Sequence, residues 1–231
     1  MTKKRIATMA TCVVLVGAVV VGGTLALLTS SSNEVKNTFT VGAGYPEGQA
    51  LVLDESAVTQ TITGSYVAAT GARDTDGISY DKIVAGTTIY KDPQFTLKEG
   101  SPDSWIVARI HGMDALNGKI DGTFDTNNVW YKYDTITKTV TPVTTGMDIT
   151  DGYYFYKTKV NALATDNRIA EKLFTTLDVA ATGIGSGEIG NIYITGCAVQ
   201  AVGDESVIDN EVAETVFNAL PKTFTDDQFT S

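Results

Sequence analysis

The amino terminus of the chain combines a short basic cluster with a long apolar run. Lys3, Lys4 and Arg5 precede an apolar stretch of 23 residues, 6–28, and the next charged residue is Glu34. Basic residues ahead of an apolar run hold its amino terminus in the cytoplasm, and 23 residues are enough to cross a bilayer. The pattern therefore predicts an export segment, which is either a signal peptide or an uncleaved anchor.

The end of the apolar run favours cleavage over anchoring. Gly22 and Gly23 would break a helix there, and Thr24 and Ala26 place small residues at the spacing that a signal peptidase requires. We therefore expect residues 1–26 to be a signal peptide and Leu27 to begin the exported chain. The protein would then contact a membrane only as its uncleaved precursor.

The charge of the remaining chain argues against nucleic acid as a partner. The formal net charge is −10, and without the three basic residues of the signal peptide there are 14 basic against 27 acidic residues, or −13. Such a surface repels phosphate backbones, and we find no cluster of Lys and Arg that could bind them. We expect no nucleic-acid partner.

Cysteine usage leaves the exported chain without an intrachain disulfide. Cys12 lies in the predicted signal peptide, so Cys197 is the one cysteine of residues 27–231. An exported form must therefore be stabilised by core burial alone. The apolar strand pattern around Cys197 predicts a buried and unreactive thiol.

Beyond the signal peptide, the residues favour β-structure. Thr, Val, Ile, Tyr and Gly are abundant, and pairs such as Asp76-Gly77 and Asn117-Gly118 mark tight turns. We predict strands at residues 35–41, 50–63, 87–97, 104–111, 129–133, 152–160, 173–181 and 189–202. Many short strands separated by turns predict an all-β, jelly-roll-like sandwich over residues 42–221.

Helical structure is expected in two places. Apolar residues at helical spacing predict a helix over residues 209–220, with Asp209 or Asn210 as its N-cap. One or two helical turns are expected at residues 166–173. The polar residues 222–231 are expected to form a frayed C-terminal tail.

Both ends of the chain resemble a known family. Residues 22–28, Gly-Gly-Thr-Leu-Ala-Leu-Leu, and residues 37–42, Asn-Thr-Phe-Thr-Val-Gly, resemble the amino terminus of the TasA/camelysin family of Gram-positive bacteria. Residues 192–201, Ile-Tyr-Ile-Thr-Gly-Cys-Ala-Val-Gln-Ala, resemble the last long strand of that family. Leu27 and Leu28 stand where its members usually carry an aromatic-rich pair.

The resemblance implies a location, a set of partners and a function. It implies export through an alternate, endoplasmic-reticulum-type signal peptidase and a place at the cell surface or in the extracellular matrix. It further implies that the protein is a fibre-forming subunit of a biofilm matrix. Its partners would then be further copies of itself and other matrix proteins.

Residues 27–41 offer a physical route to such assembly. Val35, Phe39 and Val41 share one face of a short strand pattern that follows a Ser-rich lead. This segment could add as a donor strand to the exposed sheet edge of the next subunit. The contact is head-to-tail and does not close, so it builds a filament. Alternatively, the segment is the first strand of its own sandwich, and the residues leave both readings open.

The residues give catalysis little support, and we expect a protein that is not an enzyme. His111 is the one histidine, and neither His-Glu-x-x-His nor Gly-x-Ser-x-Gly occurs. We therefore expect no catalytic residue, no cofactor and no metal site. Residues 73–77 and 121–128 carry carboxylates that could bind Ca²⁺, but they lack the EF-hand spacing, and turn formation explains them more simply.

Two other classes of function remain open. The aromatic residues 153–156 could stack on a sugar, as in a monomeric surface adhesin or carbohydrate-binding β domain, although a half-buried core strand also explains them. A camelysin-type metalloprotease has the least support from the residues.

Overall fold

A computed structural model describes residues 29–31, 45, 50–161, 168–187 and 189–225. Most of its regular structure is strand in two sheets, accompanied by a few short helices. The all-β sandwich expected from the sequence is therefore confirmed. The predicted signal peptide and the predicted strand at residues 35–41 lie outside the described residues.

Within the described residues, thirteen strands follow one another. They are β1 (Thr29–Ser31), β2 (Leu51–Gln60), β3 (Tyr66–Asp74), β4 (Thr88–Tyr90), β5 (Gln94–Leu97), β6 (Ser104–His111), β7 (Ile120–Asp121), β8 (Trp130–Asp134), β9 (Thr139–Pro142), β10 (Gly152–Tyr156), β11 (Arg168–Ile169), β12 (Thr176–Val179) and β13 (Tyr193–Gln200). A 3₁₀ turn spans Asp114–Leu116, and two helices, α1 (Asn210–Asn218) and α2 (Lys222–Thr225), follow β13.

The strands form one six-stranded and one seven-stranded sheet. The first has the order β1-β13-β6-β10-β8-β9, and the second has the order β11-β5-β2-β3-β4-β12-β7. Among the described pairs of named strands, β3 and β4 run parallel and every other pair is antiparallel.

Strand β6 shows how the apolar residues are divided between two cores. Ile106, Ala108 and Ile110 belong to the cluster between the two sheets. Trp105 and Val107 belong to a second cluster on the other side of the strand. Alternate side chains of a strand point to opposite faces, so the six-stranded sheet is covered on both sides.

The C-terminal helices cover the face of the six-stranded sheet that does not pack against the other sheet. Helix α1 begins at Asn210, and the side chain of the preceding Asp209 accepts a hydrogen bond from the backbone N–H of Val212, 2.9 Å away. This is the capping expected from the sequence. Ala213 and Val216 of α1 are buried, as is Phe224 of α2. The first residues of the predicted polar tail therefore form a helix that packs on the sheet.

Arg109 is the one residue of β6 that carries a charge into this second layer. Its side chain is buried, its Nη1 atom donates to the carbonyl of Phe224 at 2.8 Å, and its guanidinium lies 5.5 Å from the ring centre of Tyr153. A buried cation needs such partners. Arg109 thus links the middle of the sheet to α2.

Several sequence expectations need correction. The strand predicted at residues 87–97 is two strands, β4 and β5, separated by Lys91, Asp92 and Pro93. The helical turns expected at residues 166–173 do not occur in the described part, since Arg168–Ile169 is a strand paired with β5. Strands β3, β7 and β9 were not expected. A prolyl ring cannot donate to a ladder, which favours the break at Pro93.

Gly196 of β13 marks a close approach between the two sheets. A Cβ atom added there would lie 2.1 Å from the ring of Phe95, which is fully buried. The absence of a side chain at residue 196 is therefore what makes room for the Phe95 ring.

Gly196→Ala is expected to destabilise the fold by about 1–3 kcal/mol, the usual cost of overpacking a core. The measurement is urea unfolding of the chain that begins at Leu27. Gly185→Ala is the matched control, because nothing lies within 4 Å of a Cβ added there. Equal unfolding midpoints for the two variants would contradict the close contact.

Candidate functional site

The edge of the six-stranded sheet beside β13 is the place where the amino-terminal segment meets the sandwich. All eight residues of β13 pair with β6. On the opposite side, β1 pairs with three of them, in the register Thr29 to Val199, Ser30 to Ala198 and Ser31 to Cys197. The edge position is therefore occupied by residues from the predicted donor segment.

The residues of β13 that β1 covers are deeply buried. Cys197, Ala198 and Val199 have exposed fractions of 0%, 0% and 1%. Ala198 belongs to the core between the sheets. Cys197 and Val199 belong to the second cluster, on the α1 side of the sheet, which we call the outer cluster. Burial raises the pKa of the Cys197 thiol, so the predicted buried thiol is confirmed.

The opposite edge of this sheet is closed by different means. Strand β9 ends in Pro142, and the backbone N–H of Val140 donates to Asn210 Oδ1 of α1 at 2.9 Å. Lys138 also forms an ion pair with Glu214 of α1. Proline and a covering helix are two ways in which proteins prevent edge-to-edge pairing.

The outermost strands of the seven-stranded sheet are short. Strands β11 and β7 have two residues each. Short edge strands give an added strand few backbone groups to pair with. Once β1 has left, β13 would be the longest of the described edge strands and would offer the most backbone groups to an incoming segment.

A groove of about 260 Å³ lies beside the β13 edge, between the sheet and α1. Trp105, Val199, Val212 and Val216 supply apolar walls, and Val202 adds an apolar side chain that is 73% exposed. Carboxylates from Glu205, Asp209 and Glu211 line the same groove, together with Gln200 and Thr215. The groove is therefore lined by both apolar and acidic residues.

The residues of the predicted cleavage site and of the predicted donor strand do not lie in the described parts of the chain. Thr24, Ala26 and Leu27 of the predicted cleavage site, and Val35, Phe39 and Val41 of the predicted donor strand, are all outside them. Their place in the structure stays a prediction. The sequence missed β13 as the receiving edge and the groove beside it, because both arise from pairing between distant parts of the chain.

Among the described residues, a cluster of charged side chains surrounds the buried Asp92, beside the seven-stranded sheet. The side chain of Asp92 is fully buried and accepts hydrogen bonds from Arg73 Nη1 at 2.9 Å, Lys172 Nζ at 2.8 Å and the backbone N–H of Ser56 at 2.6 Å. Arg73 also binds Asp54 through Nε at 2.5 Å. Four chain segments meet at this one carboxylate.

The protonation of Asp92 follows from those contacts. Burial acts to raise its pKa, but the hydrogen bonds from Lys172, Ser56 and Arg73 outweigh burial and lower the pKa to about 2. A second ion pair joins Lys91 Nζ to Glu55 Oε1 at 2.6 Å, with both residues buried. These charged groups form ion pairs with one another, so we interpret the role of the cluster as structural.

The contacts of His111 also have a structural explanation. Its Nδ1 lies 3.5 Å from Asp151 Oδ2, and its ring stacks on Tyr193. The carboxylate of Asp151 meanwhile accepts hydrogen bonds from the backbone N–H groups of Gly112 and Met113, at 3.1 and 2.7 Å. This carboxylate holds the turn that follows β6.

The contacts of the Asp-rich segments are those expected of tight turns, and the burial of the aromatic run is that expected of a half-buried core strand. Asp74 Oδ1 accepts from the backbone N–H of Asp76 at 2.8 Å, and Asp121 Oδ1 accepts from that of Gly118 at 3.0 Å, as in tight turns. In the aromatic run, Tyr154 and Phe155 are fully buried. Tyr153 and Tyr156 are half-buried and pack against the two cores, so the run has the burial of a half-buried core strand.

The described residues contain neither a cluster suited to a metal ion nor a helix suited to crossing a membrane. No group of three or more His, Cys, Asp or Glu side chains there is arranged to hold a metal ion. Within the same residues, no helix is both long and apolar enough to span a membrane.

Comparison with known proteins adds no relative. No protein-family model, no curated protein and no solved structure matches this chain. The resemblance of the two ends to the TasA/camelysin family therefore stays a prediction.

Asp92→Asn is expected to destabilise the protein by about 3 kcal/mol at pH 7. This is the lower end of the cost of breaking a buried ion pair, since Arg73 and Lys172 are partly exposed. Because the pKa of Asp92 falls from 3.8 to about 2 on folding, its charge stabilises the fold above pH 4, and this contribution is lost as the pH falls toward 2.

Urea unfolding between pH 7 and pH 2 checks this prediction. The stability difference between the wild type and Asp92→Asn should shrink below pH 4. Asp76→Asn, at an exposed position, controls for loss of one negative charge. A difference that stays constant down to pH 2 would count against the assigned role of the Asp92 carboxylate.

Proposed function

We propose that the protein is a secreted subunit of an extracellular fibre, of the biofilm-matrix type. In this proposal, residues 27–41 of one subunit take the place of β1 on the β13 edge of the next subunit. The observation that carries the proposal is the pairing of Thr29–Ser31 with β13 at a sheet edge. A strand at an edge can leave without breaking the pairs between the strands behind it.

Exchange of this strand between subunits would cost little. The donated strand makes the same contacts on a neighbouring subunit as it makes on its own, which is the general basis of domain swapping. Main-chain hydrogen bonds supply much of the affinity in strand addition, and alternate side chains supply the specificity. An edge that already accepts this sequence in the observed register is suited to accept it from another copy.

The length of chain behind the strand permits the exchange. Tyr45 anchors the following segment, because its hydroxyl hydrogen-bonds to Ser104 Oγ at 2.9 Å. Thirteen residues, 32–44, separate Ser31 from Tyr45. At about 3.3 Å per residue they can extend over roughly 45 Å. This reach is comparable to the width of a domain of this size, so an adjoining subunit lies within it.

The asymmetry of the six-stranded sheet gives each subunit one place to receive a strand. One edge receives a strand, while the other is covered by α1 and ends in Pro142. Each subunit would therefore give one strand and take one strand. When the subunit that takes a strand is not the one that supplies a strand in return, the contact is head-to-tail and does not close, so it builds a filament.

The remaining parts of the proposal come from the sequence. They are cleavage after Ala26, secretion by an alternate signal peptidase, a jelly-roll arrangement of the strands and other matrix proteins as partners. A monomeric adhesin or carbohydrate-binding domain is the competing proposal, and it requires β1 to stay on its own sandwich.

Two chains test assembly directly. One begins at Leu27 and the other at Gly42, each released from a cleavable tag, concentrated and imaged by negative-stain electron microscopy. Fibres are expected from the first chain and none from the second. Single particles from both would contradict assembly through residues 27–41. Near-ultraviolet circular dichroism of the shorter chain shows whether it is folded.

A disulfide trap distinguishes donation from pairing within one chain. Ser31 lies opposite Cys197, so Ser31→Cys places two thiols across the β1–β13 pair in the chain that begins at Leu27. Oxidation during assembly in a glutathione buffer is expected to give a ladder of covalent multimers on non-reducing gels. A disulfide that forms only within single chains would contradict donation and favour a monomeric function.

Two control variants make the trap specific. Ser31→Cys combined with Cys197→Ala removes the natural partner and should abolish the ladder. Thr29→Cys places the new thiol opposite Val199, two residues out of register with Cys197, and should give far less cross-linking. A ladder of equal strength from Thr29→Cys would indicate collisional oxidation.

A further inference from the structure

The register of β1 leads the chain toward the groove beside α1. Thr29 lies opposite Val199, and each step back along β1 is one step forward along β13. A strand that continued in this register would bring Leu27 opposite Ala201. Val199 and Gln200, just before Ala201, both line the groove.

The sheet remains ordered far enough to support that continuation. The backbone N–H of Ala201 donates to the carbonyl of Asp103 at 2.7 Å, on the β6 side. Pairing on that side thus extends one residue beyond the end of β13. A continued β1 would pair with the opposite side of Ala201.

Strand geometry also sets the direction of the Leu27 side chain. Residues directly opposite each other in an antiparallel pair share one face of the sheet. Val199 belongs to the outer cluster, and Ala201 packs against the same cluster. The face that Leu27 would share is therefore the one on which Trp105 and Val216 form the groove.

The groove has room for such a side chain. Its volume is about 260 Å³, and Trp105, Val199, Val212 and Val216 are among the residues that line it. Val202 at its border is 73% exposed, so an apolar occupant would cover a side chain that the described residues leave open.

The negative charge of the groove suits the positively charged amino terminus of a chain better than an uncharged peptide group within a chain. Glu205, Asp209 and Glu211 line it, and none of the described residues that line it is basic. The start of α1 contributes only about half a positive charge, which the carboxylates exceed. Cleavage after Ala26 would create an ammonium group on Leu27, whose usual pKa is about 8.

We propose that the groove beside β13 is the receptor for Leu27 at the amino terminus of the processed chain. The Leu27 side chain packs against Trp105 and Val216, and its ammonium group pairs with the carboxylates of Glu205 and Glu211. The inference rests on the proposed function in one step, because it needs the ammonium group that cleavage after Ala26 creates, and it applies whether β1 pairs within its own chain or on the next subunit. The uncleaved precursor has a peptide bond in place of the ammonium group, so it cannot make this pairing.

The reactivity of the Leu27 amine tests the proposal. The chain that begins at Leu27 and carries Ser31→Cys is oxidised, so that β1 is fixed on β13. The rate of acylation of its α-amine at pH 7 is measured by peptide mapping and mass spectrometry. An ammonium group held by carboxylates has a raised pKa, and one pKa unit makes acylation about tenfold slower than in a free peptide of residues 27–41.

Charge variants identify the partner of the amine. Glu205→Gln together with Glu211→Gln changes two exposed side chains and should restore the peptide-like rate. Asp76→Asn, at an exposed position outside the groove, should leave the slow rate unchanged. An amine that reacts as fast as the peptide in the unsubstituted chain, or one whose slow rate is unaffected by the two Gln substitutions, overturns the proposal.

The same samples separate this inference from strand donation. A disulfide ladder with a fully reactive amine leaves donation standing and overturns the groove as receptor. A protected amine in chains whose disulfide is entirely intrachain leaves the groove standing and contradicts donation.

Discussion

The pairing of β6 with β13 is the interaction on which the rest of the structure depends. Eight residue pairs join the two strands in the interior of the six-stranded sheet, where their backbone groups have to be paired because water cannot reach them. A slip of one residue would exchange the two faces of a strand, sending Arg109 into the core between the sheets. This register therefore sets which residues face α1, which residues β1 covers and where the groove lies.

From that register follows the asymmetry of the sheet. Beyond β13 the edge accepts a strand from the amino terminus, while β9 at the far edge is covered by α1 through Asn210. An edge strand exposes unpaired backbone groups and is a liability unless it is covered. The proposed fibre uses one edge and protects the other, so that growth has a direction. The charge cluster around Asp92 has no part in this arrangement and serves the opposite sheet.

Local patterns predicted the features that depend on neighbouring residues. The strand at 104–111 and a cap of α1 at Asp209 or Asn210 were both expected from the sequence. The errors arose where distant partners decide the outcome. The 87–97 segment was predicted as one strand because its charged residues could not be matched in advance to Arg73, Lys172 and Glu55. Residues 168–169 became a strand because β5 offered a partner.

By itself, the sequence determined that this chain is β-rich beyond an apolar, export-like amino terminus, and that a helix with an Asp cap lies near its end. These features rest on composition and on spacing over a few residues. Only the tertiary structure decided that Thr29–Ser31 pairs with β13 and that Phe95 occupies the space left by Gly196. It also decided that a groove lined in part by acidic residues lies between α1 and β13. Each of those features joins residues far apart in the chain, and their contact depends on the register of the whole sheet.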